Sequence, residues 1–138
     1  MLYGVRFKEC WLWFERSSMQ FLTTKRPIVE CFINGKAANF LLDTGASVAF
    51  IDCEFIGEYG IEQGKKYHGT LVGVGGAMRG VRYCNTFVTL PNGTEVAQFL
   101  LADISAVRES IKQETGIEIV GIVSYPQMQF AGITLMNR

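Results

Sequence analysis

The sequence predicts a single, mainly β domain with one inserted helix, and three observations lead to this prediction. From residue 3 to residue 101, glycine or asparagine interrupts short segments rich in Val, Ile, Phe, Tyr and Thr, a pattern typical of antiparallel β proteins. Asn34-Gly35 and Asn92-Gly93 predict hairpins, because both central residues of a type I′ turn need positive φ. Finally, residues 105–115 carry apolar residues at helical spacing, and Gly116 follows as a helix C-cap.

The elements follow from these patterns in chain order. Strands are predicted at residues 5–14, 27–33, 36–42, 49–52, 66–74, 78–90 and 95–102. Shorter helices or turns are predicted at residues 53–59 and 125–129, the second because Pro126 suits a first helical turn.

Length and charge limit the classes of function. A chain of 138 residues is one domain with one core. Thirteen acidic and thirteen basic residues give a net charge of zero, so we expect no nucleic-acid partner. No run approaches the roughly 18 apolar residues of a membrane helix, so no membrane span is expected. Charges at Arg6, Lys8 and Glu9 stand where a signal peptide is apolar, which favours a cytoplasmic location.

The four cysteines do not form a metal-binding pattern. They contain no C-x-x-C pair, and His68 is the single histidine, so we expect neither a metal nor a cofactor. Two disulfides would be possible in an oxidising compartment. Each cysteine lies in or beside an apolar stretch, however, and free cysteine is often buried, so reduced core thiols are the favoured interpretation.

The stretch Phe-Leu-Leu-Asp-Thr-Gly-Ala-Ser at residues 40–47 ends an apolar run with a carboxylate, a hydroxyl and a glycine. Gly45 permits a tight turn, and the Thr44 hydroxyl can form a hydrogen bond across it. Leu41 and Leu42 would anchor this loop in a core. A plain surface turn is the alternative, since Asp, Thr and Gly are ordinary turn residues.

Residues 42–47, Leu-Asp-Thr-Gly-Ala-Ser, resemble the active-site loop of the retropepsin-like aspartic proteases. Residues 72–78, Val-Gly-Val-Gly-Gly-Ala-Met, resemble the family's glycine-rich flap hairpin. A plain hairpin is the alternative there; a nucleotide loop is disfavoured because neither G-x-G-x-x-G nor a terminal Lys-Ser/Thr is present. Residues 120–124 resemble the hydrophobic-hydrophobic-glycine element, and residues 132–137 resemble the C-terminal strand that retroviral members interleave with their partner's termini.

The resemblance covers residues 27–137 in the family's order, with two departures. Ser124 stands where the family usually has a second glycine, and Pro126-Gln127 stand where an acidic residue and a large hydrophobe are common. The resemblance implies a retropepsin-like closed β-barrel, one lobe per chain, with the inserted helix and the flap. It divides the chain into an extension at residues 1–24, either an extra strand or an interface arm, and a protease domain at residues 25–138.

The resemblance also implies the chemistry. Aspartic peptide hydrolysis uses two carboxylates that share one proton, but the chain has one Asp-Thr-Gly, since neither Asp52 nor Asp103 begins a second copy. We therefore expect a homodimeric endopeptidase that cuts a polypeptide substrate near hydrophobic residues. The implied catalytic residue is Asp43; loop support comes from Thr44, Gly45, Ala46 and Ser47, the flap from Gly73, Val74, Gly75, Gly76 and Met78, and the substrate pocket from Ile122 and Val123.

A second interpretation is a catalytically inert module of the same fold that binds peptides or acts as a scaffold. Ser124 and the extension with Trp11 and Trp13 favour it. The intact Asp-Thr-Gly argues against it, because an unused carboxylate pair in a closed cleft costs stability by charge repulsion.

Overall fold

The computed structural model describes residues 2–7, 10–15, 20–73, 76–78 and 80–137. Its strands are β1 (Leu2–Phe7), β2 (Cys10–Glu15), β3 (Ile28–Ile33), β4 (Lys36–Asp43), β5 (Ala49–Asp52), β6 (Gln63–Lys66), β7 (Val72–Gly73), β8 (Gly76–Ala77), β9 (Arg82–Cys84), β10 (Val88–Thr89), β11 (Glu95–Val96), β12 (Phe99–Ala102), β13 (Gly121–Ser124) and β14 (Ile133–Asn137). Its helices are a 3-10 turn (Cys53–Phe55), α1 (Ile56–Tyr59), α2 (Ser105–Thr115) and α3 (Tyr125–Phe130).

Most strands join one mixed sheet, in the order β11-β10-β3-β4-β13-β5-β12-β9-β6. Two pairings are parallel, β13 with β4 and β12 with β5, and the others are antiparallel. The mainly β fold with one inserted helix is therefore confirmed. Because β4 and β13 lie in the interior of this sheet, both strands have neighbours on each side.

The β3–β4 hairpin turns at Asn34-Gly35, as predicted. The φ angles of these residues are 50° and 78°, the left-handed values that a type I′ turn needs. The hairpin register runs from Ile33 opposite Lys36 to Ile28 opposite Leu41.

The second predicted hairpin also forms, between β10 and β11, but its turn type was predicted wrongly. Gly93 has φ 88° and Asn92 has no positive φ. The Gly93 N–H donates to the Leu90 carbonyl at 2.8 Å, so Pro91 and Asn92 are the central residues of the turn. Pro91 fixes a negative φ at the first of these positions, which shifts the left-handed residue one place along the chain.

The predicted strand at residues 5–14 is wrong, because the structure has two antiparallel strands there. β1 pairs with β2, with Leu2 opposite Glu15 and Phe7 opposite Cys10. β2 in turn pairs antiparallel with β14, which gives a separate sheet in the order β1-β2-β14. The charged pair at residues 8 and 9, which the prediction placed inside the strand, lies between β1 and β2 in sequence and outside the described residues.

Two other long predicted strands are shorter in the structure. The region 66–74 contains the end of β6 and all of β7, and the region 78–90 contains β9 and β10. Gly80 interrupts the second region with φ 66°. A local turn then separates β9 from β10, in which the Thr86 N–H donates to the Cys84 Sγ at 3.4 Å. Both breaks arise from local backbone geometry, which β propensity does not report.

The three predicted helical regions are confirmed. α2 ends at Gly116, whose φ of 77° is left-handed, as expected of a C-cap. The 3-10 turn and α1 occupy residues 53–59, and α3 begins with Pro126 in its first turn. Among the helices of the described residues, none is long and apolar enough to cross a membrane.

The core lies on both sides of β4. Phe40 and Leu42 belong to the larger cluster, in which Phe40 packs edge-to-face on Phe99 with ring centroids 5.6 Å apart. Leu41 points into a second cluster that contains Ile111 of α2. The sequence of a strand that is buried on both faces is a continuous apolar run, which explains the Phe-Leu-Leu sequence of residues 40–42.

Arg108 connects α2 to the segments around it. Its guanidinium donates to Asp52 Oδ2 at 3.1 Å and to the Ile119 carbonyl at 3.1 Å. Further bonds reach Glu54 Oε2 at 2.8 Å and Glu118 Oε1 at 2.7 Å. Burial alone lowers the pKa of Arg108, but the hydrogen bonds to Glu54 and Asp52 outweigh burial and raise it. Arg108 thus stays charged and neutralises Asp52, which is 2% exposed.

We expect Arg108→Met to lower the free energy of unfolding by about 3–5 kcal/mol, because it leaves the Asp52 carboxylate buried without a partner. Adding Asp52→Asn removes that charge and keeps an oxygen for the Glu54 N–H, so the double variant is expected to be more stable than Arg108→Met. Urea unfolding measures both variants. Additive losses in the double variant would contradict the pairing.

Gly121 lies where β13 passes close to its neighbouring strands β4 and β5. A Cβ at this position would collide with the Phe50 carbonyl oxygen and would lie 2.6 Å from Phe40 Cε2. Both obstacles are rigid, since one is backbone and the other is a fully buried ring. Only glycine therefore allows β13 to lie between β4 and β5.

We expect Gly121→Ala to destabilise the fold by at least about 1–3 kcal/mol, the usual cost of overpacking. Gly57→Ala is the matched control, because a Cβ there meets nothing within 4 Å and helix propensity favours Ala. Urea midpoints compare the two. An unchanged midpoint for Gly121→Ala would refute the close approach.

Candidate active site

Asp43 is the last residue of β4, the strand between β3 and β13. In the parallel ladder it lies opposite Ser124, and Leu42 lies opposite Val123. The Leu42 N–H also donates to the Pro27 carbonyl at 2.9 Å. Asp43 is half-buried, so its carboxylate emerges from a strand that is fixed on both sides.

The loop after Asp43 is held by backbone hydrogen bonds. The Gly45 N–H donates to Asp43 Oδ1 at 2.9 Å, and the Ala46 N–H donates to the Asp43 carbonyl at 3.2 Å. The Tyr125 N–H donates to the Ala46 carbonyl at 2.9 Å, which ties the loop to α3. The Asp43 carboxylate therefore has one oxygen oriented by its own loop.

Most residues of the loop that follows Asp43 are exposed to solvent. Thr44 and Gly45 are exposed, as is Ser47, while Ala46 is half-buried. A Cβ on Gly45 would lie 3.3 Å from Asp43 Oδ1, so a larger residue would press on the carboxylate. Among the described residues, none forms a hydrogen bond with the Thr44 hydroxyl, which leaves it available to a group outside this chain.

The glycine-rich stretch forms a hairpin, as expected. In its described part, Val72 pairs with Ala77 and Gly73 pairs with Gly76. Next to the Val72–Ala77 pair, the Met78 N–H donates to the Leu71 carbonyl at 2.9 Å. Val74 and Gly75 lie outside the described residues. Met78 is half-buried and, like Phe50, packs against two of the buried clusters.

The two departures from the family pattern have a shared structural explanation. Ser124 and Gln127 are 3% and 7% exposed and form a capping box at the start of α3. Gln127 Oε1 accepts from the Ser124 N–H at 3.0 Å and from its hydroxyl at 3.2 Å. Gln127 Nε2 donates to the Ala97 carbonyl. Serine and glutamine thus start the helix that supports the loop.

The structure separates the two residues predicted to line the substrate pocket. Ile122 is 7% exposed and belongs to the cluster with Leu41, whereas Val123 has no exposed surface and belongs to the larger core. They point to opposite faces because side chains alternate along a strand. In this chain both contribute packing next to Asp43, and their contact with substrate stays a prediction.

The other carboxylates near the sheet have structural partners. Asp52 accepts from the Glu54 N–H at 3.0 Å and is paired with Arg108. Asp103 accepts from the Ser105 N–H at 2.9 Å, and hydrogen bonds from Ser105 lower its pKa. In the described part of the chain, no three His, Cys, Asp or Glu side chains are grouped to hold a metal ion.

Sequence reasoning did not identify a cleft that adjoins the loop. It encloses about 740 Å³ and is lined in part by Ser47, Val48, Phe87 and Phe130. Phe87 and Phe130 are 57% and 75% exposed. No periodic pattern in the sequence indicated that Phe87 and Phe130 share a surface. They are distant in sequence, and only the fold brings them together.

Comparisons with known proteins agree with this geometry. A sequence model described as aspartyl protease matches residues 29–122, which is more than half of the chain. Among solved structures, the chain is similar to EIAV protease complexed with the inhibitor HBY-793. That match has a TM-score of 0.57 and 25% identity, and it covers 82% of this chain and 94% of that chain.

The matched segment includes the Asp43 loop, the hairpin and Gly121, and the structural match covers most of the chain. The chain therefore belongs to the aspartyl protease family and has a retropepsin-like fold.

Proposed function

We propose that this protein is a homodimeric aspartic endopeptidase in which Asp43 of two chains forms the catalytic pair. The observation that carries the proposal is the setting of Asp43, a partly exposed carboxylate at the end of a buried central strand with one oxygen held by the Gly45 N–H. In the family to which the chain belongs, such a carboxylate acts in peptide hydrolysis.

A second copy is required because hydrolysis uses two carboxylates. One is ionised and takes a proton from water, while the other is protonated and donates a hydrogen bond to the scissile carbonyl. The chain supplies one Asp-Thr-Gly, and Asp52 and Asp103 have structural partners. Two-fold symmetry brings one Asp43 against the other.

Two features of the chain support this assembly. The Thr44 hydroxyl and Gly45 are exposed beside Asp43, where they can meet the same loop of a partner. Within the described residues, β14 pairs with β2 alone, so its other edge can add a strand. An antiparallel β14 pair across the two-fold axis would join two three-stranded sheets.

The remaining roles follow from this assembly. Thr44 would bond to the partner loop, and Ala46 and Ser47 would support the loop beside the substrate. The hairpin at residues 72–78 would cover the substrate, with Gly73, Val74, Gly75 and Gly76 permitting its movement and Met78 contributing an apolar contact. Ile122 and Val123 would shape the pocket wall, and we expect cleavage near hydrophobic residues of a polypeptide.

The decisive test compares the wild-type protein with Asp43→Asn on a diverse peptide library. We expect the variant to lose activity by at least about 10²–10⁴-fold, the usual contribution of general acid–base catalysis. Wild-type activity should rise more steeply than linearly with enzyme concentration while dimers are incomplete.

Asp103→Asn is the matched control, because Asn keeps an oxygen for the Ser105 N–H and the site is far from the loop in sequence. It should cleave like wild type. If wild type and Asp43→Asn both fail to cut although sedimentation shows a dimer, the inert peptide-binding or scaffolding module becomes the better account.

Ala46 gives a prediction for pH dependence. A hydroxyl at this position could donate to the carboxylate pair and favour its charged form, which Ala46 cannot do. We expect Ala46→Thr to shift the acid limb of the pH–activity profile to lower pH. Ala46→Val is the control of matched shape without a hydroxyl, and a shift of the same size in both variants would contradict the explanation.

A further inference from the structure

Strand β6 forms one edge of the nine-stranded sheet and ends in two adjacent lysines, Lys65 and Lys66. In the described part of the chain, β6 pairs with β9 alone, so the backbone groups along its other side have no strand partner. Both lysines are exposed to solvent. An unpaired edge of this kind can accept a further strand from another polypeptide.

A third cation lies directly opposite this edge. Lys66 is the cross-strand partner of Arg82 in β9, and both side chains are exposed. The Arg82 Nε–H donates to the Gly64 carbonyl at 3.1 Å, which holds the guanidinium beside β6. Like charges directly opposite each other destabilise a sheet, so this pair costs stability unless a negatively charged group binds there. We call Lys65, Lys66 and Arg82 the β6 edge surface.

No carboxylate of the described residues neutralises the β6 edge surface. Within the described part of the chain, none of its cations forms an ion pair, and residues 63–94 contain no Asp or Glu in the sequence. The carboxylates that flank this segment, Glu62 and Glu95, line a separate cleft together with Asn34. The edge is therefore locally positive, although the net charge of the whole chain is zero.

Edge lysines also protect a sheet from pairing with further copies of itself. That role accounts for Lys65 and Lys66, but it does not require Arg82, which lies on an interior strand. Pairing between two β6 strands would bring the same cations together, so a second copy is disfavoured at this edge. The charges thus exclude one class of strand and attract another, which is how a surface gains specificity.

The combination of a free edge and cations favours an acidic polypeptide over a nucleic acid. A strand edge presents both N–H and C=O groups. A peptide backbone pairs with both kinds of group, whereas phosphate oxygens only accept hydrogen bonds. Apolar surface adjoins the cations, because Lys65 lines a cleft of about 520 Å³ together with Tyr83 and Phe87. The occupant that fits is an extended segment that carries both acidic and apolar side chains.

We propose that the β6 edge surface binds an acidic, extended polypeptide segment, which adds a strand to β6 and places its carboxylates beside Lys65, Lys66 and Arg82. Four strands separate β6 from β4 in the order of the sheet, so this surface is distinct from the Asp43 loop. The proposal goes beyond the endopeptidase function and does not depend on catalysis by Asp43.

The test measures the binding of peptides to Asp43→Asn, so that cleavage does not complicate the measurement. Three fluorescent peptides alternate Val with Glu, Gln or Lys and are otherwise identical. By fluorescence anisotropy at low ionic strength, we expect the Glu peptide to bind about ten-fold more tightly than the Gln peptide, because several exposed ion pairs form together. The Lys peptide should bind most weakly. Equal binding of the Glu and Gln peptides would overturn the proposal.

Adding Lys65→Gln/Lys66→Gln should remove most of the preference for the Glu peptide. Lys36→Gln/Lys112→Gln is the matched control, because it changes the net charge equally at two exposed lysines outside the surface, and it should keep the preference. An equal loss in both double variants would show general charge attraction and would overturn the site. Removal of Lys66 relieves the like-charge contact with Arg82, so a lower urea midpoint for the first double variant would contradict that pairing.

Strand addition is tested with a Glu peptide that is methylated at each central backbone nitrogen, which keeps its charge and removes its N–H donors. We expect this peptide to bind at least about three-fold more weakly than the unmodified one, since backbone hydrogen bonds supply affinity in strand addition. Equal affinity would refute strand addition.

Two further outcomes would identify a different occupant and overturn the proposal. One is tighter binding of a single-stranded oligonucleotide than of the Glu peptide with the same number of negative charges. The other is a change in the oligomeric state of the protein alone on introducing Lys65→Gln/Lys66→Gln, measured by sedimentation, which would identify a second copy as the occupant.

Discussion

The parallel pairing of β13 with β4 is the interaction on which the rest of the structure depends. It places Ser124 beside Asp43 and Val123 beside Leu42, so the carboxylate emerges from a strand with a neighbour on each side. This pairing is possible only because Gly121 has no Cβ to meet Phe40 and the Phe50 backbone. A small residue in the sheet thus allows the pairing that holds the Asp43 loop.

Both α2 and α3 help to hold the segment around β13 and the Asp43 loop in place. Arg108 of α2 binds the Ile119 carbonyl, while the Val120 N–H donates to the Asn39 carbonyl at 2.7 Å and the Val120 carbonyl accepts from the Asp52 N–H at 3.0 Å. The start of β13 is therefore bound on three sides. At its other end, α3 holds the loop through Tyr125 and is itself capped by Ser124 and Gln127.

Much of this could be predicted from the sequence, because the signals were local. The Asn34-Gly35 turn, α2 with its Gly116 cap and the Asp-Thr-Gly loop each depend on a few adjacent residues. The two strands in the extension and the turn at Pro91 were missed, since strand propensity does not show where a backbone reverses. The capping box of Ser124 and Gln127 is a local Ser-x-x-Gln pattern that the sequence reasoning missed. The bond from Gln127 to the Ala97 carbonyl and the aromatic cleft join residues distant in sequence, so only the folded chain shows them.

The central claim is that each active site needs Asp43 from two chains, and mixed dimers test it most directly. Wild type and Asp43→Asn would be mixed in equal amounts at a fixed total concentration, dissociated and allowed to reassociate before assay. If both carboxylates are required, activity falls to about one quarter of the wild-type value, because only wild-type pairs are active. A value of about one half, which independent chains would give, would contradict the claim.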